Sequence, residues 1–327
     1  MLFLDEPTVM FLYFQISASS HKLKVLNINM WGILLGNQFR KERFEALANL
    51  LNNQQPPDYD VVLLQEMWRK NDISDLKERT KSVYPYQADS MKDAKCSSVI
   101  FEEVTQNCAG LMILSKHPFD SVTFTPYEKN GIGGIYGNFE EYVGKGVLEA
   151  RLSIQDLTVD VFNTHLVSFT EDSLDIDNNG VRANQVTTLL ERIKASDANV
   201  KIFGADMNAY PLKDDPNSPY SRMTAKMTDS FVERYPSEVD NPQFATYGRD
   251  GNTFTGSKPD EILDYLMHWA DPSEWAMATE VFKLPQYKAT NAFGQLVSIT
   301  DHEPLHAEYL IIRQNDSKLS NCNMRMN

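Results

Sequence analysis

Glu66 closes the run DVVLLQE, Asp206 and Asn208 close KIFGADMN, and Asp301 and His302 stand together in SITDHEP. These are carboxylates, an amide and an imidazole, grouped at the ends of apolar runs or in a short polar segment. A carboxylate at a strand end can serve as a hard oxygen ligand for magnesium, which keeps several waters and takes only one or two carboxylates. An asparagine amide can donate to a phosphoryl oxygen as charge grows there. A histidine that titrates near neutrality can take a proton from attacking water, provided a buried carboxylate fixes its tautomer. Adjacent strand residues point apart, so Asp264 in EILDYLMHW is a better orienting partner for His302 than Asp301. His165 lies near the end of a further run, DVFNTHL, whereas His21, His117, His268 and His306 have no such company.

Each group also has an ordinary explanation. Glu66 can be a solvated strand terminus, and the Asp301-His302 pair a loop feature. Asp206 and Asn208 can close a strand as an Asx-turn. In the functional reading, alternation places Asp206 and Asn208 on one face of an extended segment, with Ala205 and Met207 on the other.

Rigid elements must position these groups. The runs 23–29, 60–66, 109–116, 146–154, 157–166, 199–207 and 261–270 are strand-length and bounded by turn residues. Helical spacing marks 39–53, where Phe39, Arg43, Leu47 and Leu50 recur and Phe44, Leu47 and Leu51 share an apolar face, and also 180–196. No linker divides 23 from 312, so one mixed α/β domain is expected there. An N-terminal segment (1–22) precedes it and a flexible tail (313–327) follows.

Hydrophobic residues make up 42% of the chain and charged residues 23%, which excludes a largely disordered or fibrous protein. Acidic residues outnumber basic ones by 45 to 31, for a net charge of −14, and this disfavours a nucleic-acid substrate. Cys96, Cys108 and Cys322 lack zinc-site spacing. They read as reduced thiols, or as one Cys96–Cys108 bridge if the protein is secreted. The run Val9–Ile16 resembles the apolar part of a signal sequence, but Asp5 and Glu6 stand where positive charge belongs. A cytoplasmic setting is therefore favoured over secretion, soluble or peripheral at a membrane. No later stretch reaches the roughly 18 apolar residues of a membrane span.

The motifs also carry a family resemblance. Asn29 in LKVLNINMWG, Glu66 in LLQEMW, His165 in NTHL, Asp206 and Asn208 in GADMN, Asp264 in ILDYL, and Asp301 and His302 in TDHEP follow the order used by the endonuclease/exonuclease/phosphatase superfamily. Within it the chain resembles the neutral sphingomyelinases, through NMWGI, QEMW, the Gly/aromatic stretch 130–147 and NTHL. It departs from them at Val167-Ser168, where His-Ala is frequent, and in lacking the C-terminal membrane helices of many animal members.

The resemblance implies a four-layer α/β/β/α sandwich and a magnesium-dependent phosphodiesterase, with manganese as an alternative metal. The substrate would be a phospholipid at a membrane surface, with sphingomyelin giving ceramide and phosphocholine. It further implies that Glu66 and Asn29 hold the metal, that Asp301 assists a second metal, and that Asn208 and His165 bind phosphoryl oxygens. Asp206 would position the nucleophile or protonate the leaving group. A nuclease, a lysophospholipid phospholipase C or an inositol-phosphate phosphatase is the alternative on the same fold; a catalytically dead binding module should have lost ligands, and none is missing. Gly144-Lys145 does not complete a nucleotide-binding loop, because Phe139 stands where that motif needs glycine. The 130–147 stretch reads either as a turn-rich surface loop or as a membrane contact through Ile132, Ile135, Tyr136, Phe139 and Tyr142.

Overall fold

Strands covered on both faces read as continuous apolar runs rather than alternating ones. The segments 61–65, 157–165 and 200–206 are of this kind, and nearly every residue in them is buried. The protein is described here by a computed structural model covering residues 19–33, 37–53, 58–91, 97–98, 106–107, 109–131, 144–168, 178–212, 214–238 and 241–314. The apolar N-terminal run, the three cysteines, the tail from 315 onward, and Ile132, Ile135, Tyr136, Phe139 and Tyr142 lie outside the described residues.

In chain order the elements are β1 (Ser20–Asn29), α1 (Arg40–Asn52), β2 (Val61–Gln65), α2 (Lys70–Thr80), β3 (Tyr86–Asp89), β4 (Ser97–Ser98), β5 (Gln106–Asn107), β6 (Met112–Ser115), β7 (Phe119–Pro126), β8 (Gly146–Ile154), β9 (Leu157–His165), α3 (Asn178–Ala195), β10 (Val200–Asp206), α4 (Pro219–Thr224), β11 (Thr228–Asp229), α5 (Ser230–Arg234), β12 (Asp264–Ala270), β13 (Trp275–Lys283), β14 (Lys288–Thr290), β15 (Leu296–Ser298) and β16 (Leu305–Arg313). Two six-stranded sheets result, ordered β13-β16-β1-β2-β6-β3 and β11-β12-β10-β9-β8-β7.

Three apolar layers hold the four-layer α/β/β/α sandwich together. Leu23, Val25, Val61 and Leu63 of the first sheet meet Val159, Val161, Val200 and Ile202 of the second between the sheets. On the outside, Phe44, Leu47 and Leu51 of α1 cover Leu26, Ile28, Val62 and Leu64. On the opposite side, Val186, Leu189 and Ile193 of α3 cover Phe203 and Ala205. Phe39 is not part of α1: it precedes the helix with φ 49°.

Each sheet is built around one parallel pair, β1 with β2 and β9 with β10. Parallel partners end at the same sheet edge, which brings Asn29 near Glu66 and His165 beside Asp206. The neighbours β12 and β16 are antiparallel to β10 and β1, so they begin at that edge, with Asp264 opposite Asp206 and the segment 299–304 leading into β16.

Candidate active site

At the shared edge, all the ionisable groups singled out in the sequence converge between the two sheets. Asn29 Nδ2 donates to Glu66 Oε1 at 3.1 Å and to Asp206 Oδ2 at 2.9 Å, bridging a carboxylate of each sheet. Its Oδ1 accepts from the Trp31 N–H. His302 Nδ1 lies 2.7 Å from Asp264 Oδ2, which leaves Nε2 facing Asp206 Oδ2 at 3.8 Å. His165 Nε2 approaches the same Asp206 oxygen at 3.6 Å. The Thr300 hydroxyl donates its single proton to the backbone carbonyl of Asn29 at 2.6 Å and so ties the 299–302 segment to the end of β1, with Asp301 Oδ1 3.2 Å from the same hydroxyl oxygen.

Backbone geometry at two of these residues departs from the strand. Glu66 has φ 56° and Asn208 φ 45°, and Trp31 beside Asn29 has φ 47°; such left-handed backbone in non-glycine residues clusters at functional sites. An extended Glu66 next to the inward Gln65 would point outward toward the helices. The left-handed turn instead lets its carboxylate reach Asn29.

The expectation of an extended 206–208 segment is corrected here. The strand stops at Asp206, and the Asn208 N–H donates to Asp206 Oδ1 at 2.9 Å, closing an Asx-turn. The Asn208 amide stays at the same edge, donating to the Leu166 carbonyl at 3.1 Å. Turn and site therefore coexist, because the short Asp side chain satisfies the first free N–H beyond the strand.

Burial dominates the electrostatics. It raises Glu66 above the usual carboxylate range, against the opposing hydrogen bond from Asn29. Burial, and then the Asp264 charge, pushes Asp206 up to about 6. Asp301 also rises to about 6, through burial and the nearby Glu66. Burial alone would lower His302, but Asp264 and Asp206 outweigh it and hold the imidazole well above its ordinary value. His165 is driven well below that value by burial, then by Lys145 and His302.

The cluster thus carries more negative charge than it compensates, and its oxygens suit a divalent cation. Asp206, Asp264 and His302 each offer a ligand atom within 4.8 Å of the others. Asp264 and His302 are, however, already engaged with each other through the 2.7 Å contact.

Two residues not identified as part of the site help to build it. Arg43 of α1 is fully buried and donates to the carbonyls of Met30, Trp31 and Ile299, stapling the segments that follow Asn29 and precede Asp301. Its helical spacing with Leu47 signals burial, but not these partners. Lys145 is buried and donates to the Leu166 carbonyl at 2.9 Å, the acceptor it shares with Asn208. In the sequence it stood out only as part of a rejected nucleotide-binding loop.

Residues 26–276 match the model of the Endonuclease/Exonuclease/phosphatase family. A putative neutral sphingomyelinase of Drosophila melanogaster is 25% identical over 89% of this chain and 61% of its own length. An inositol phosphosphingolipids phospholipase C of Schizosaccharomyces pombe is 28% identical over 68% of this chain and 49% of its own. The chain therefore spans about half to three fifths of the length of these relatives. Among solved structures, D. rerio TDP2 complexed with a single-strand DNA product superposes with a TM-score of 0.63 at 16% identity, covering 88% of this chain and 98% of that one. A Staphylococcus aureus beta toxin with bound magnesium ions gives 0.56 at 17%, covering 88% and 99%.

Proposed function

From the premise that this chain belongs to the endonuclease/exonuclease/phosphatase family, we propose that it is a magnesium-dependent phosphodiesterase of phospholipase C type, hydrolysing sphingomyelin to ceramide and phosphocholine. The observation carrying the reaction class is the Asp264–His302 pair facing a cluster of buried carboxylates across the sheet edge. The lipid substrate is supported by the relatives named for sphingomyelin and for inositol phosphosphingolipids.

Glu66, Asn29 and Asp301 would hold magnesium, which supplies charge neutralisation and polarisation of a phosphoryl oxygen. Asp264 accepts a hydrogen bond from His302 Nδ1 and fixes the tautomer. With the carboxylate charge that raises the imidazole neutralised when magnesium is bound, Nε2 would be free to take a proton from the attacking water. The Asn208 amide and His165 bind phosphoryl oxygens, with His165 kept neutral by its burial. Asp206, raised to about 6, suits a group that positions the water or returns a proton to the leaving alcohol.

Purified protein, with magnesium or with chelator, should be offered sphingomyelin, an inositol phosphosphingolipid, lysophosphatidylcholine and plasmid DNA side by side. Chelator-sensitive release of phosphocholine from sphingomyelin is expected. Cutting of DNA in preference to every lipid would assign the chain to the nuclease reading instead.

The lipid surface is met, in this reading, by the β14–β15 hairpin, where Phe293 is 78% and Leu296 70% exposed. The hairpin runs directly into Thr300, Asp301 and His302, so anchoring it brings the site to the interface. No helix among the described residues is long and apolar enough to cross a membrane. Replacing Phe293 and Leu296 together by serine should weaken vesicle binding about 100-fold or more, in line with roughly 1.5–3 kcal/mol per large apolar side chain. Turnover of a short-chain soluble analogue should be unchanged, and equal flotation of parent and variant with liposomes would remove the hairpin from this role.

A further inference from the structure

Four of the motifs at the catalytic edge contain a second residue to which no chemistry has been assigned: Asn27 two before Asn29, Gln65 before Glu66, Asn163 two before His165, and Gly204 two before Asp206. With period-2 alternation, all four face the space between the sheets, continuing the rows Val25, Leu63, Val161 and Ile202 of the inner core. They form a layer between the apolar core and the ionisable groups.

The three amides, all fully buried, join across the sheets. Gln65 Nε2 donates to Asn27 Oδ1 at 2.8 Å within the first sheet and to Asn163 Oδ1 at 2.7 Å on the second. Asn163 Nδ2 donates back to the carbonyls of Leu64 and Met112, both at 2.9 Å. That use of its amide hydrogens orients its oxygen toward Gln65 and makes Gln65 the required donor. Asn27 Nδ2 reaches the Ala205 carbonyl at a long 3.4 Å. Opposite, a Cβ on Gly204 would stand 2.4 Å from Leu63 Cδ1 and 2.8 Å from Asn27 Oδ1, so any side chain here would displace Leu63 and the clamp amide of Asn27.

We propose that Asn27, Gln65, Asn163 and Gly204 form a cross-sheet clamp that sets the separation of the sheets at this edge, and with it the distance between Asn29 and Glu66 on one side and His165 and Asp206 on the other. Apolar contacts are non-directional and would hold the sheets together at any register or spacing that fills volume. Hydrogen bonds between short side chains fix one spacing. These are positioning residues, and their role in turnover rests on the reading of this edge as the catalytic centre.

The test uses the full chain and two readouts: magnesium binding by calorimetry without substrate, and kcat with KM on sphingomyelin in mixed micelles. Gln65→Met keeps length and volume but cannot donate. Gly204→Ala drives a methyl against Leu63 and the Asn27 amide, and adding Leu63→Ala to it removes the nearest obstruction. Gln65→Met and Gly204→Ala are expected to fold, to keep KM within about twofold, and to lose about 10- to 100-fold in kcat and about 10-fold in magnesium affinity, with partial recovery in Gly204→Ala/Leu63→Ala. Activity is expressed per folded molecule, and Asn163→Ser serves as a milder variant. Folded variants with the parent's magnesium affinity and kcat overturn the proposal. So does loss of fold in all three of Gln65→Met, Gly204→Ala and Asn163→Ser, which makes the residues structural only. A parent that binds magnesium but hydrolyses no phosphodiester would remove the proposed reaction and leave the calorimetric test of the clamp standing.

Discussion

Replacing His302 by alanine is expected to lower kcat by about 10²- to 10⁴-fold, the range for loss of a positioned general base, while the protein remains folded. Truncation takes away the partner of Asp264 Oδ2, held at 2.7 Å. Leaving a buried carboxylate without its partner costs about 3–5 kcal/mol, below most of the roughly 5–15 kcal/mol stability range of an ordinary domain. Circular dichroism and thermal melting should therefore report a native, somewhat less stable protein with little turnover. Asp264→Asn grades the argument: its shape is kept, but an amide presents a donor as readily as an acceptor to Nδ1, so the tautomer is no longer enforced. Its loss should be smaller than that of His302→Ala. Activity of folded His302→Ala within tenfold of the parent would take His302 out of the mechanism.

Glu66→Gln carries the second large effect, and its sign differs between stability and activity. Burial raises Glu66 and so opposes its charge, so a neutral amide of the same shape should leave the cation-free protein at least as stable as the parent. With magnesium the order reverses. A ligand at 100 times its Kd adds about 2.7 kcal/mol to the folded state, so the parent should melt higher when magnesium is added and the variant should show little shift. Loss of a metal-holding carboxylate should also cost about 3–4 kcal/mol in the transition state, or roughly 10²- to 10³-fold in kcat. Differential scanning fluorimetry with and without magnesium checks the first claim independently of substrate. An equal magnesium-induced shift in both proteins would move the cation site away from Glu66.

Much of the architecture was legible because strands covered on both faces announce themselves. The runs at 60–66, 146–154, 157–166 and 199–207 match the observed strands to within a residue at either end. The elements missed have weaker local signals. Helix α2, KNDISDLKERT, buries only Ile73, Leu76 and Thr80 among charged residues. Strand β7 is exposed along most of its length, and only Phe124 of it is buried. Strand β16, although paired on both sides in its sheet, carries His306 and Glu308 among its apolar residues, so its alternation is blurred.

By itself, the sequence determined which chemical groups stand at strand ends and which runs must be buried, because both follow from residue type and from periods of two and 3.6 residues along the chain. Tertiary structure alone decided the rest. The gathering of Asn29, Glu66, His165, Asp206, Asp264 and His302 at one edge depends on two parallel pairings and two antiparallel neighbours between segments far apart in sequence. The left-handed turns at Glu66 and Asn208 are conformations that neither residue type favours enough to announce locally. Arg43, Asn27, Gln65 and Asn163 look in sequence like isolated polar residues in apolar surroundings. They become a staple and a clamp only when packing removes water and turns their buried donors toward acceptors on other elements.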